Sequence, residues 1–237
     1  MDALIAIGGI LLLLLLAGGA IGLADRERFA PRWLLVAALL VAVNDAMLTS
    51  FYKALPDLIG GEWNWQGMLL SLAATLAIAA LPMFGWRRIG LTLKQAPGSL
   101  KAAVPVLILY CGLFAAMAAA FPSEPGSAED VAFQLTMPGL AEEAFYRGLL
   151  LFALDRAFTG RVRLLGVDWG WGAVLSCLLF GLAHAFGYAD GQFTFDPLYM
   201  ALTALPSFIA VWLRLRTGSL LLPVVMHNFG NAVGMVV

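Results

Sequence analysis

Charge is what this 237-residue sequence most lacks: Asp, Glu, Lys and Arg make up 12% of it, against 62% for the hydrophobic set. Its mean hydropathy is +0.89. A soluble domain carries about 25% charged and about 45–50% apolar residues, so an aqueous fold is excluded and the chain belongs in a bilayer. An excess of positive charge is missing too. With 14 Lys and Arg against 15 Asp and Glu the formal net charge is -1, which excludes a basic nucleic-acid-binding protein. Cysteine is scarce, and both Cys111 and Cys177 lie inside apolar stretches, so no disulfide framework is implied. Room for a separate soluble domain is lacking as well: at about 20 residues per span the length caps the spans at about ten, and eight leave only short loops.

What is present is a series of apolar runs bounded by charged or turn-forming clusters. They predict eight helices, at roughly 3–23, 33–52, 66–86, 102–121, 131–154, 169–188, 197–213 and 219–237. The expected architecture is an all-α polytopic bundle of about eight transmembrane helices, one integral membrane domain over residues 1–237. The first run resembles a signal peptide ending at Gly22-Leu23-Ala24, but Asp2 leads it and Arg26, Arg28 and Arg32 follow it. A signal peptide starts positive, so a retained helix with its amino terminus outside is expected. Of the 14 Lys and Arg, all but Lys53 and Arg147 then fall in the four loops that this orientation makes cytoplasmic, as positive-inside sorting requires. The opposite loops hold Asp57, Glu62, Glu124, Glu129, Asp130, Asp190 and Asp196, and all 7 tryptophans lie near span ends as an interfacial belt. The expected location is a bacterial inner membrane.

An ionisable group within a span costs about 2.5–3.5 kcal/mol near the bilayer centre, so each one is a functional hypothesis by default. Few occur. The fifth run contains Glu142, Glu143, Tyr146 and Arg147, the second Asn44 and Asp45, the sixth His184, and the eighth His227, Asn228 and Asn231. Residues four apart share a helix face, so Glu143 can pair with Arg147, while Glu142, rotated by about 100°, faces elsewhere. His227 with Asn231, and Phe180 with His184, have the same spacing. At about 1.5 Å per residue, Glu142, His184, His227, Asn231 and Asp45 lie roughly 12–22 Å from the cytoplasmic ends of their runs, levels that overlap.

A carboxylate and an imidazole can hold a water and remove its proton. A second imidazole and an amide N–H can stabilise the negative charge that develops on a carbonyl oxygen. Together these groups suit peptide hydrolysis without a covalent intermediate.

In this order on a small polytopic protein, Glu142-Glu143-x-x-x-Arg147, Phe180-x-x-x-His184 and His227-x-x-x-Asn231 resemble the CAAX-protease and bacteriocin-processing (CPBP, or Abi) family, which includes the type II CAAX prenyl endopeptidases. The resemblance covers residues 131–237. It implies a glutamate-dependent intramembrane endopeptidase in which Glu142 and His184 activate water and His227 and Asn231 form the oxyanion site, with Glu143 and Arg147 in support. It also implies a membrane-anchored or lipidated protein substrate. Members were long labelled metalloproteases because carboxylate and histidine also suit zinc. The zinc-protease helix pattern His-Glu-x-x-His is absent, so a metal-free mechanism is expected, with zinc at Glu142, His184 and His227 as the alternative. Members that cleave prenylated proteins take them from the cytosol, whereas the charge rule puts Glu142 and His184 nearer the outer face. A deep cavity, an inverted orientation or an exported substrate would reconcile the two, the last similar to the myxosortases, which process carboxy-terminal membrane anchors.

Asn44-Asp45 matches no motif of that family and is expected to be a polar pair satisfied by neighbouring helices or water, with support of the site as the alternative. Tyr146 is expected as a hydrogen-bond donor or an aromatic wall. Gly18-x-x-x-Gly22 and Gly230-x-x-x-Gly234 should allow close helix approach, and Pro138-Gly139 should distort the helix before the glutamates. A non-catalytic immunity or peptide-binding protein of the same fold is the alternative function. An ion-coupled transporter is disfavoured, because the buried ionisable groups gather mainly in three runs and no inverted repeat is visible.

Overall fold

A computed structural model describes residues 2–237. Helices α1 (Asp2–Ala24), α2 (Pro31–Asp45), α3 (Trp65–Ala79) and α4 (Leu100–Ala120) come first. A segmented run follows: α5 (Ala128–Gln134), α6 (Met137–Glu143), a π-helix over Ala144–Leu150, and α7 (Leu151–Ala157). The hairpin β1 (Val162–Leu164) and β2 (Val167–Trp169) leads to α8 (Trp171–Ala185), and the hairpin β3 (Phe186–Ala189) and β4 (Gln192–Phe195) leads to α9 (Pro197–Thr217) and α10 (Leu221–Val236). The chain is an all-α helical bundle, and four of its helices are long and apolar enough to cross a membrane: Asp2–Ala24, Pro31–Ala54, Leu100–Ala120 and Pro197–Thr217. The second includes a π-helix over Ala46–Phe51 and one 3₁₀ turn beyond α2.

Local chemistry sets many of the boundaries. Asn64 caps α3 by accepting from the Gly67 N–H, Asp196 caps α9 through the Tyr199 N–H, and Ser127 with Asp130 forms a capping box on α5. Gly218, at φ 74°, ends α9 in the left-handed conformation that lacks a steric penalty only for glycine. The third expected span stops early, at Ala79, because a turn precedes Pro82 and Gly85 adopts φ 83°. The fifth departs most from one continuous helix. It breaks at Leu135-Thr136, before Pro138 rather than after it, and Pro138 sits in the first turn of α6, where its missing N–H costs nothing. The two hairpins were not expected. Each turns through a pair with positive φ, Leu165-Gly166 and Asp190-Gly191, the geometry that tight two-residue hairpins require.

The arginine-bearing loops meet at one end of the bundle. Ala30 N–H donates to Ala157 O, Thr159 N–H to Arg28 O, Leu220 N–H to Gly90 O, and Arg214 to Arg88 O. At the other end Trp63 Nε1 donates to Asp130 and Trp65 Nε1 to Glu129. The Trp63 and Ser127 donors hold the Asp130 carboxyl below the usual aspartate range. Gly18, Gly22 and Gly230 mark close packing within the chain: a Cβ on Gly18 would strike Leu34, one on Gly22 Phe29, and one on Gly230 the Tyr110 hydroxyl, whereas one on Gly234 would meet only ordinary contact.

Candidate active site

Glu142 and Glu143 end α6, the point at which the helix widens into its π segment. Adjacent helical positions diverge by about 100°, and the two carboxylates go separate ways. Glu143 turns into protein: it is 0% exposed, Arg147 is 1% exposed, and Arg147 Nη1 lies 3.2 Å from Glu143 Oε1. The guanidinium also rests 4.2 Å from the centre of the Phe180 ring. Glu142 turns the other way, into a cavity of about 450 Å³ that Glu143, His184, His227 and Asn231 also line.

Helix α10 brings His227 between the two carboxylates. Its Nδ1 is 2.8 Å from Glu143 Oε1 and its Nε2 is 3.7 Å from Glu142 Oε2. A carboxylate only accepts, so the proton of the shorter bond sits on Nδ1. Helix α8 contributes His184, whose Nδ1 is 2.8 Å from the Phe180 carbonyl oxygen. A carbonyl likewise only accepts, so neutral His184 carries its proton on Nδ1 and keeps the Nε2 lone pair free. Phe180 is the apolar hub of the group, with ring centres 4.5 Å from His184, 5.9 Å from His227 and 5.1 Å from Tyr146. Asn231 Nδ2 donates to Gln134 Oε1 at 3.0 Å.

The four residues expected to act on substrate therefore line one cavity, to which Glu143, Arg147 and Phe180 also contribute. Asp45 and Tyr146 lie elsewhere, in a second cavity on the far side of Glu142. Of the two imidazoles, His227 makes the direct approach to Glu142, whereas the expected pairing was with His184. Among the described residues no group of three or more His, Cys, Asp and Glu side chains is placed to hold a metal ion.

Three contributors carried no expected role. Asn228, one position along from His227, accepts from the Gly139 N–H at 2.7 Å and donates to Thr136 O at 3.3 Å. It thus ties the first turn of α6 to α10, and a Cβ on Gly139 would collide with it. Ser176 Oγ donates to Tyr146 O inside the π segment at 2.7 Å. Gln134 holds Asn231. A buried polar residue beside a motif was the available signal for Asn228; for Gln134 and Ser176 a single sequence offered none.

The cavity lining includes Trp63, Gln134 and Tyr199, which belong to the acidic-loop end and not to the arginine end.

Residues 125–233 match the family model for type II CAAX prenyl endopeptidase Rce1-like proteins. The matched segment contains all three motifs. No curated protein matches the chain, and no solved structure does.

Proposed function

We propose, from the match of residues 125–233 to the type II CAAX prenyl endopeptidase Rce1-like family model, that this integral membrane protein is a glutamate-dependent protease that cleaves a membrane-anchored or lipidated protein near the bilayer. The observation that carries the reading is the set of four groups lining one cavity: Glu142, His184, His227 and Asn231. A water between Glu142 and His184 gives its proton to the Glu142 carboxylate while the free Nε2 lone pair of His184 holds its other hydrogen. The oxygen attacks the scissile carbonyl carbon. Negative charge moves to the carbonyl oxygen, where Asn231 Nδ2 and His227 Nε2–H are donors. Since Nδ1 donates to Glu143, His227 can donate from Nε2 only as the imidazolium, a form that its carboxylate neighbours stabilise by charge. The tetrahedral intermediate collapses, the C–N bond breaks, and the proton on Glu142 passes to the leaving amine. Every proton is accounted for without a metal.

Cavity-lining residues at the acidic-loop end and the arginines at the other favour a site open to the outer face. An exported protein with a carboxy-terminal membrane anchor fits that orientation. The test is cleavage in lipid nanodiscs, with a farnesylated CAAX peptide and a single-span protein with a basic carboxy terminus as the two substrates. Glu142→Ala and His184→Ala should each lower the rate at least about 100-fold, the lower range for loss of an acid–base group, with thermal stability nearly unchanged. Cleavage by Glu142→Ala at the parental rate overturns the assignment.

A further inference from the structure

The first cavity leaves one half-buried carboxylate unused. Asp45 faces a second cavity of about 270 Å³, bounded by α1, α2 and α8, whose polar lining is Asn44, Asp45, Thr49, Glu142, Tyr146 and His184. Among the described residues Glu142 and His184 are the only two that line both cavities. The groups expected to activate water thus form the partition between two chambers.

Backbone geometry sets this chamber apart. The two π segments begin directly after Asp45 and directly after Glu143, and Thr49 from the first and Tyr146 from the second face the chamber. Well under about 1% of residues adopt π-helix, and it concentrates at functional sites. Thr49 Oγ1 reaches both the Asp45 carbonyl, at 2.9 Å, and Asp45 Oδ2, at 3.3 Å. No other protein donor reaches that carboxylate among the described residues, which leaves it acceptor capacity for water.

Hydrolysis consumes one water for each bond cleaved, and a peptide seated in the first cavity covers Glu142 from that side. A bound water occupies about 30 Å³ and needs two to four polar partners, so the second chamber holds several. We propose that this chamber is the route by which water reaches Glu142 and His184 while substrate fills the first cavity, and that Asp45 is the positioning residue that holds water along it. The inference rests on the proteolytic reading above.

Two measurements test it. In a Glu142→Gln chain with Cys111 and Cys177 replaced by alanine, a cysteine at Leu48 in the second chamber or at Thr203 in the first is treated in nanodiscs with a charged methanethiosulfonate. Saturating uncleaved substrate should protect the Thr203 site and leave the Leu48 site reactive. Protection of both, or no reaction at Leu48 without substrate, overturns the water route. In the parent chain Asp45→Asn should lower kcat by about tenfold, as expected for a misplaced reactant, with KM within about twofold, and Asp45→Glu should recover part of the loss. Unchanged kcat, or equal losses in kcat and thermal stability, overturns the role of Asp45. Failure of proteolysis itself appears separately, as Glu142→Ala cleaving like the parent.

Discussion

The long helices and the short ones divide the work of this molecule. Helices α1 and α4 are long, apolar and open to lipid, with 17% and 11% of their most apolar windows buried. They carry none of Glu142, His184, His227 and Asn231. Those four lie on α6, α8 and α10, none of which is long enough to count as a candidate span. The most interrupted stretch is also the most enclosed: every residue from Glu143 to Leu151 is buried. Lipid can solvate a continuous apolar helix but offers no partner to a backbone group freed by a break. A helix that ends, widens or restarts within the bilayer must therefore be wrapped by protein, and a wrapped break is where polar side chains can be held at fixed distances.

The sharpest way to break this contrast is to unpair the charge at the centre of the wrapped segment. Glu143→Ala leaves the Arg147 guanidinium buried without its carboxylate, and Arg147→Ala leaves the buried Glu143 with His227 alone; loss of one member costs about 3–5 kcal/mol in comparable pairs. Each should shift SDS-induced unfolding at fixed micelle composition by that amount. The double variant Glu143→Gln/Arg147→Met should recover part of the loss, since it strands no charge. A single variant that costs under about 1 kcal/mol would mean that Glu143 and Arg147 do not hold this segment together.

Much of that segment was legible because the spacing of its polar residues survives the irregular backbone. Glu143 and Arg147 pair as the four-residue spacing predicts, and the overlapping depths read for Glu142 and Asp45 correspond to a cavity that both line. What could not be read is where the helix breaks. Leu135-Thr136-Met137 continues an apolar run, and Ala144–Leu150 contains nothing that separates a π turn from an α turn. These features are tied down by Asn228 and Ser176 reaching in from α10 and α8, and one sequence does not say which helices face each other. The β3–β4 hairpin is different: Asp190-Gly191 beside Tyr188 and Phe193 is a strong turn signal, hidden here only because it interrupts a membrane chain.

A smaller effect is expected where the wrapped run emerges among the arginines. Burial pushes the Asp155 carboxyl up to about 6, although Arg161 lies 3.0 Å away and Arg214 pulls the same way. The folded state therefore keeps this proton at a pH where the unfolded chain, near the ordinary value of 3.8, has lost it. Stability should fall as pH rises from about 4 to about 6 and stay level above, by about 1–2 kcal/mol once partial exposure is discounted. Asp155→Asn should flatten that decline in unfolding curves collected across the window. An unchanged slope would place the titrating group elsewhere.

The smallest effect belongs to the lipid-facing helices and sharpens the comparison from the other side. Leu12 and Leu16 are 57% and 61% exposed, whereas Leu149 and Leu150 are 0% exposed. In a bilayer an outward leucine touches acyl chains whether or not α1 has docked, so hydrophobic transfer contributes almost nothing to docking. Leu12→Ala and Leu16→Ala should each change stability by less than about 0.5 kcal/mol, as surface positions do. Leu149→Ala or Leu150→Ala removes packed contacts in either solvent and should cost about 2–5 kcal/mol. Equal costs at the two pairs of sites would mean that α1 is enclosed by protein along the face that carries Leu12 and Leu16, and the division between solvating helices and wrapped ones would fail there.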